Sequence, residues 1–142
     1  MTTLEILLQG KGHDVWSVHP DDTVLDAIKM LAEKDIGALI VIKDDKPVGI
    51  FTERDYARNV YLKGKSSLDT AVRVVMAAPV ICARLDQTVN ECMALMTEKR
   101  FRHLPVMNGD ELVGMVSIGD LVKSVIAEQQ FTIEQMEHYI HS

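Results

Sequence analysis

Apolar and polar positions follow one grammar twice along the chain. Val15 to Val18 reads as a short apolar strand, and Thr23-Val-Leu-Asp26 is a Ser/Thr-x-x-Asp/Glu box that opens a helix. Val24, Ile28 and Leu31 then recur at helical spacing. Ala38-Leu-Ile-Val-Ile42 and Pro47-Val-Gly-Ile-Phe-Thr52 predict two strands joined by a tight turn, Lys43 to Lys46, and a second helix runs from Glu53 to Leu62. The same order follows later: Val80 to Ala83, the box Thr88-Val-Asn-Glu91, apolar Val89, Met93 and Met96, strands Leu104 to Met107 and Leu112 to Ser117, and a helix from Ile118 to Glu128. Asn108-Gly109 in the second turn is a strong hairpin signal.

A shift of 65 residues superposes positions 15–60 on 80–125 without a gap, with thirteen identities that include Asp21/Asp86, Thr23/Thr88, Gly49/Gly114 and Asp55/Asp120. The fold class is therefore α+β, a tandem β-α-β-β-α repeat. A unit of about 46 residues is too small to close a core easily alone, so the copies are expected to share one around a pseudo-twofold axis. The boundaries expected are a lead-in helix over 1–14, a first repeat over 15–63, a linker with a short helix over 64–79, a second repeat over 80–128 and an amphipathic helix over 129–142. In that last segment Ile133, Met136 and Ile140 share one helical face. Helices this short are marginal alone in water, so the tail should dock on the body or on a sister subunit.

Composition narrows the function. The 142 residues carry 15 Lys and Arg against 21 Asp and Glu, a net charge of −6, which argues against a nucleic-acid or anionic-membrane binder. The longest uncharged run, Val74 to Ala83, is broken by Pro79 and is far shorter than the roughly 18 residues of a membrane span. No signal peptide is visible at the N-terminus, and the two cysteines, Cys82 and Cys92, lack metal or disulfide-framework spacing, so a reducing, cytoplasmic setting is expected. His138-x-x-His141 reads as a solvated pair rather than a metal site. The chain contains no P-loop, no G-x-S-x-G elbow and no H-E-x-x-H, and neither cysteine looks activated, so no enzyme is expected.

The candidate chemistry lies in Gly49-Ile-Phe-Thr52-Glu-Arg-Asp55 and Gly114-Met-Val-Ser117-Ile-Gly-Asp120. Each T/S-x-x-D has two readings. It is a capping box that satisfies free N–H groups with no ligand. It also sets a carboxylate, able to accept from both hydroxyls of a vicinal diol, beside a helix start that suits a phosphate oxygen. Gly49 and Gly114 either let a planar base approach the strand or mark a β-bulge.

These residues carry a resemblance. Two G-h-h-[ST]-x-x-D signatures at one offset, with Arg102-His-Leu-Pro-Val106 entering the middle strand, resemble a pair of cystathionine-β-synthase (CBS) domains, a Bateman module, covering residues 15–125. The resemblance implies clefts between the two motifs that take adenosine-containing nucleotides: AMP foremost, with ADP, ATP or NAD as alternatives and no metal required. It implies that Asp55 and Asp120 hold ribose hydroxyls, that Thr52 and Ser117 assist at ribose or phosphate, and that Arg102 and His103 meet phosphate. Arg54 is a second phosphate candidate, and copy two has Gly119 there. Val18, Pro20 and Ala38 are expected to line the base pocket in copy one, as Ala83 and Leu85 would in copy two; His19 reads as a surface residue. The copies differ in cationic residues, so at most one cleft is expected to grip phosphates well. The expected function is a non-catalytic sensor, a homodimer acting on an unknown partner in trans; the alternative is a constitutive interaction module whose signatures only cap helices.

Overall fold

The computed structural model describes residues 1–141. The chain divides into two compact units, one of residues 14–81 and one of residues 1–13 with 82 onward. The unit of residues 14–81 contains β1 (Ser17–Val18), α2 (Val24–Lys34), β2 (Ala38–Lys43), β3 (Lys46–Thr52), α3 (Glu53–Asp55) and α4 (Val72–Val75). The other contains α1 (Leu4–Lys11), β4 (Ala83–Arg84), α5 (Val89–Lys99), β5 (His103–Asn108), β6 (Glu111–Ser117) and α6 (Ile118–His141). Each unit holds a three-stranded sheet with a parallel pair and an antiparallel hairpin, β1-β2-β3 and β4-β5-β6. The expected α+β repeat is present in both.

Local chemistry explains the elements. Thr23 and Thr88 cap α2 and α5, their hydroxyls accepting the N–H of Asp26 and Glu91 at 3.1 Å. The first hairpin turns through Asp44 and Asp45, both at positive φ, a conformation Asp tolerates; the second turns with Gly109 at φ 61°. In each hairpin one residue is extra, Val48 after Val41↔Gly49 and Val113 after Val106↔Gly114, which makes a β-bulge beside both glycines.

The buried apolar side chains form a cluster in each unit: Val24, Leu31, Leu39, Phe51 and Val72 anchor one, and Leu4, Leu8, Leu104, Val116 and Leu121 the other. The lead-in helix α1 packs on the second repeat and α4 on the first. Three expectations, on the first strands, on helix 53–62 and on the tail, need correction. The first strands are shorter, because only two residues of each pair with the middle strand; Cys82 lies just before β4. Helix 53–62 is three α residues followed by a wider π turn over Tyr56–Tyr61, which still brings Val60 into the core at 1% exposure. The tail is no separate helix. Nothing between Glu128 and Thr132 breaks helical geometry, so α6 runs unbroken for 24 residues, about 36 Å at 1.5 Å per residue, and its side chains from Ala127 to His141 are exposed rather than docked on the body.

The lead-ins obey a second register invisible at the shift of 65. Leu4 N–H donates to Gln87 O and Glu5 N–H to Leu85 O; the equivalent bonds run from Val72 to Asp22 O and from Arg73 to Pro20 O. Thr2 O accepts from Val89 as Thr70 O accepts from Val24, so residues 2–8 match 70–76 at a shift of 68. This explains the glycines. A Cβ at Gly114 would lie 2.8 Å from a Leu8 methyl, and one at Gly49 would lie 2.9 Å from Ala77 O and 2.6 Å from Met76 Sδ. Within each unit these glycines admit the chain's own lead-in segment.

Candidate functional site

Thr52 and Ser117 end their strands in extended pairing with Ala38 and His103, and the next residue starts a helix. The main chain ahead of each middle strand supports that corner: Gly37 O accepts from Glu53 N–H at 3.1 Å and Arg102 O from Ile118 N–H at 2.9 Å. In the first corner, Thr52 N–H and hydroxyl donate to Asp55 Oδ2 at 2.9 and 3.0 Å, and Asp55 N–H returns a bond to Thr52 Oγ1 at 3.1 Å. In the second, Ser117 N–H donates to Asp120 Oδ2 at 2.8 Å and Asp120 N–H to Ser117 Oγ at 3.1 Å. Both are closed reciprocal capping boxes. In each the bonds fall on Oδ2, and Oδ1 takes no part in the box. Both carboxylates are half-buried, a position from which a side chain still meets a ligand.

The two acids differ in one contact. Lys11, in the last turn of α1, donates to Asp120 Oδ2 at 2.6 Å and to Met115 O at 2.6 Å. Burial by itself would raise the Asp120 carboxyl; the Lys11 bond and charge, with the Ser117 N–H and hydroxyl, outweigh it and hold the group below its ordinary value. Among the described residues the bonds to Asp55 come from Thr52 alone. Sequence reasoning missed Lys11, which sits 109 residues before its partner. The signal was present: Lys11 lies on the helical face of Leu4 and Leu8, the residues that fasten α1 to the second repeat.

The remaining candidates fall into two groups. Ala38, Thr52, Arg54 and Asp55 gather at the first corner, with Arg54 exposed. Arg102, His103, Ser117 and Asp120 gather at the second, with Arg102 exposed and His103 half-buried. Val18 and Pro20 lie at the far end of the first sheet's parallel pair. The Val18 side chain belongs to the core, and the Pro20 carbonyl accepts from Arg73 N–H at 2.9 Å. His19 is a half-exposed turn residue whose Nδ1 accepts from Asp21 N–H. Burial pushes the Cys82 thiol up, and burial with the Glu91 charge pushes Cys92 to about 11, so neither is an activated nucleophile. Among the described residues no cluster of three or more His, Cys, Asp or Glu could hold a metal, and no helix is long and apolar enough to cross a membrane.

Two half-size α+β repeats, each ending its hairpin in a capped acid signature, define a tandem regulatory-domain architecture. The CBS domain model matches residues 12–62 and 71–127, and the chain belongs to the CBS domain family. It is 36% identical to the mitochondrial CBS domain-containing protein CBSX3 of Arabidopsis thaliana, over 98% of this chain and 72% of that one. The structure of a CBS-domain protein from Burkholderia ambifaria MC40-6, described as a candidate for signal transduction, matches with a TM-score of 0.86 and 53% identity over 93% of this chain and 99% of the other. A more distant CBS pair, 22% identical with a TM-score of 0.79 over 90% of this chain and 98% of that one, shares the fold and was crystallised with 5′-methylthioadenosine and S-adenosylmethionine.

Proposed function

We propose that the chain is a non-catalytic sensor that binds an adenosine-containing nucleotide at its signature corners and passes occupancy to a partner protein in trans. The observation that carries this reading is the Asp55 corner, where a half-buried carboxylate keeps Oδ1 outside its capping box, with Arg54 exposed on the same turn. Oδ1 can accept from a ribose hydroxyl while Oδ2 stays capped, and Thr52 holds the acid's orientation. Arg54, or Arg102 with His103, supplies charge for phosphate. Ala38, paired with Thr52, sets the backbone of the middle strand at that corner for the base, and Val18 and Pro20, buried at the far end of the parallel pair, are left out of the lining. The adenosine compounds held by the distant CBS pair make the adenosine class the first to test.

Occupancy regulates a partner only if the ligand prefers one arrangement of the protein over another. The proposed carrier is a homodimer. On α6, Ile126, Ile133 and Ile140 recur every seven residues, with Val122, Gln129 and Met136 at the alternate heptad position, and the apolar members of this stripe are exposed. An isoleucine at each first position of the heptad is what a second copy of the same helix packs against. Light scattering of the full chain should give a dimer, and Ile133→Asp should return it to monomer; a monomeric wild type would remove the dimer.

The sensor reading is tested by thermal melting with AMP, ADP, ATP, NAD and S-adenosylmethionine. A ligand at a hundred times its dissociation constant adds about 2.7 kcal/mol, or roughly 5–10 °C for a chain of this size. Flat curves with all five would favour the interaction module, a reading to which both closed capping boxes also lend weight.

A further inference from the structure

We infer that Lys11 is an internal occupant of the second signature, competing with a ligand hydroxyl for Asp120, so that the nucleotide proposed above binds first, or only, at Asp55. The inference rests on the sensor reading and assigns its inequivalence to one residue. Lys11 Nζ stands 2.6 Å from Asp120 Oδ2 and from Met115 O, on the carboxylate a diol would seek. It is held there by structure. Leu4 and Leu8, at 0% exposure, fasten α1 to the second repeat, and the Thr3↔Thr88 bridge fixes its start. His13 Nδ1 lies 2.8 Å from Val113 O and ties down the chain just beyond it.

The first signature lacks this device. The register that relates the two lead-ins runs over 2–8 and 70–76, where α4 has already ended, and among the described residues no lysine bonds Asp55. Arg73, the cation in α4, is turned to Asp21 at 3.1 Å. A ligand reaching Asp120 Oδ1 therefore meets a carboxylate whose charge Lys11 already engages through Oδ2, with the ammonium standing beside it, whereas a ligand reaching Asp55 meets no such cation. The Lys11 side chain is 37% exposed, so the block is displaceable and grades affinity rather than abolishing it.

The test is a calorimetric titration of AMP into the full-length wild type, Lys11→Met and Lys11→Arg. The wild type should bind one equivalent per chain in the tight phase, Lys11→Met two, and Lys11→Arg one, because the guanidinium still occupies Asp120. Lys11→Met combined with Asp120→Ala should return to one, and Lys11→Gln replaces Lys11→Met should that variant not fold. An unchanged count in a folded Lys11→Met overturns the inference and leaves the sensor reading standing. Weaker binding in Lys11→Met also overturns it, by making Lys11 a ligand contact. Binding by Lys11→Met alone would support the block and remove Asp55 from the reading. No binding of AMP by any variant would overturn the inference, and flat melting curves with all five adenosine compounds would overturn the sensor reading with it.

Discussion

The two signature corners share a strand end, a capping box and a half-buried carboxylate, yet they are not the same site. The first carries Arg54, and among the described residues its acid is bonded only by its own box; the second carries Gly119, and its acid is shared with Lys11. The Arg54/Gly119 difference lies within the signatures, and the Lys11 contact arises outside the repeats. Each repeat borrows a lead-in segment to complete its core, and the two lead-ins have diverged: an eight-residue helix with a lysine in its last turn, against a four-residue helix followed by Met76 and Ala77. Duplication made the corners alike, and the signature difference and the borrowed segments make them unlike.

The comparison is tested most strongly in the cores. Phe51 and Val116 occupy equivalent positions and are both fully buried. Phe51→Ala should cost about 3–5 kcal/mol, whereas Val116→Ala removes about two methyl groups, worth roughly 0.8 kcal/mol each before any cavity penalty. Urea unfolding measures both, and equal losses would deny that the two clusters are filled differently. The glycines come next. Gly49→Ala drives a Cβ against the Ala77 carbonyl, which is main chain, and should cost about 1–3 kcal/mol. Gly114→Ala meets only the tip of Leu8, which can turn aside, and should cost less. A larger loss at Gly114 would mean that Leu8 is the more rigid neighbour.

The smallest effect concerns acid. Asp120 is held below its ordinary value of 3.8, so its contribution to stability is full above that value and is lost as pH falls through the lowered one. Lys11→Met removes the chief partner and should lower stability at neutral pH by up to about 1 kcal/mol, given the exposure of the pair. The gap between variant and wild type should close as pH drops below 4, in denaturation curves taken from pH 7 to pH 3. A gap that widens in acid would contradict the assigned pairing.

Much of this was legible in the sequence. The shift of 65 revealed both hairpins, because strand alternation and the Thr boxes are local signals that survive duplication. The signature acids were found for the same reason, and their dual reading as caps was correct: both boxes close. Lys11 was not found, because its partner is set by which repeat α1 packs on, and that is a tertiary choice. Its trace was the second register, in which Thr2 matches Thr70 and Leu4 matches Val72. The unbroken α6 departs from the expected break at 128/129 because no residue there ends a helix, and its exposed apolar stripe leaves the sister-subunit half of the docking expectation open.

One measurement bears most directly on the difference between the corners: calorimetric titration of the nucleotide that best raises the melting temperature into Asp55→Ala and Asp120→Ala. Hydrogen bonds to a charged group contribute about 1.5–3 kcal/mol each, so losing the ribose hydroxyl held by Asp55 should weaken binding by about tenfold to a hundredfold. Asp120→Ala should stay within about threefold of wild type, since that carboxylate is already engaged by Lys11. Retained affinity in Asp55→Ala, with the loss appearing in Asp120→Ala instead, would contradict the account.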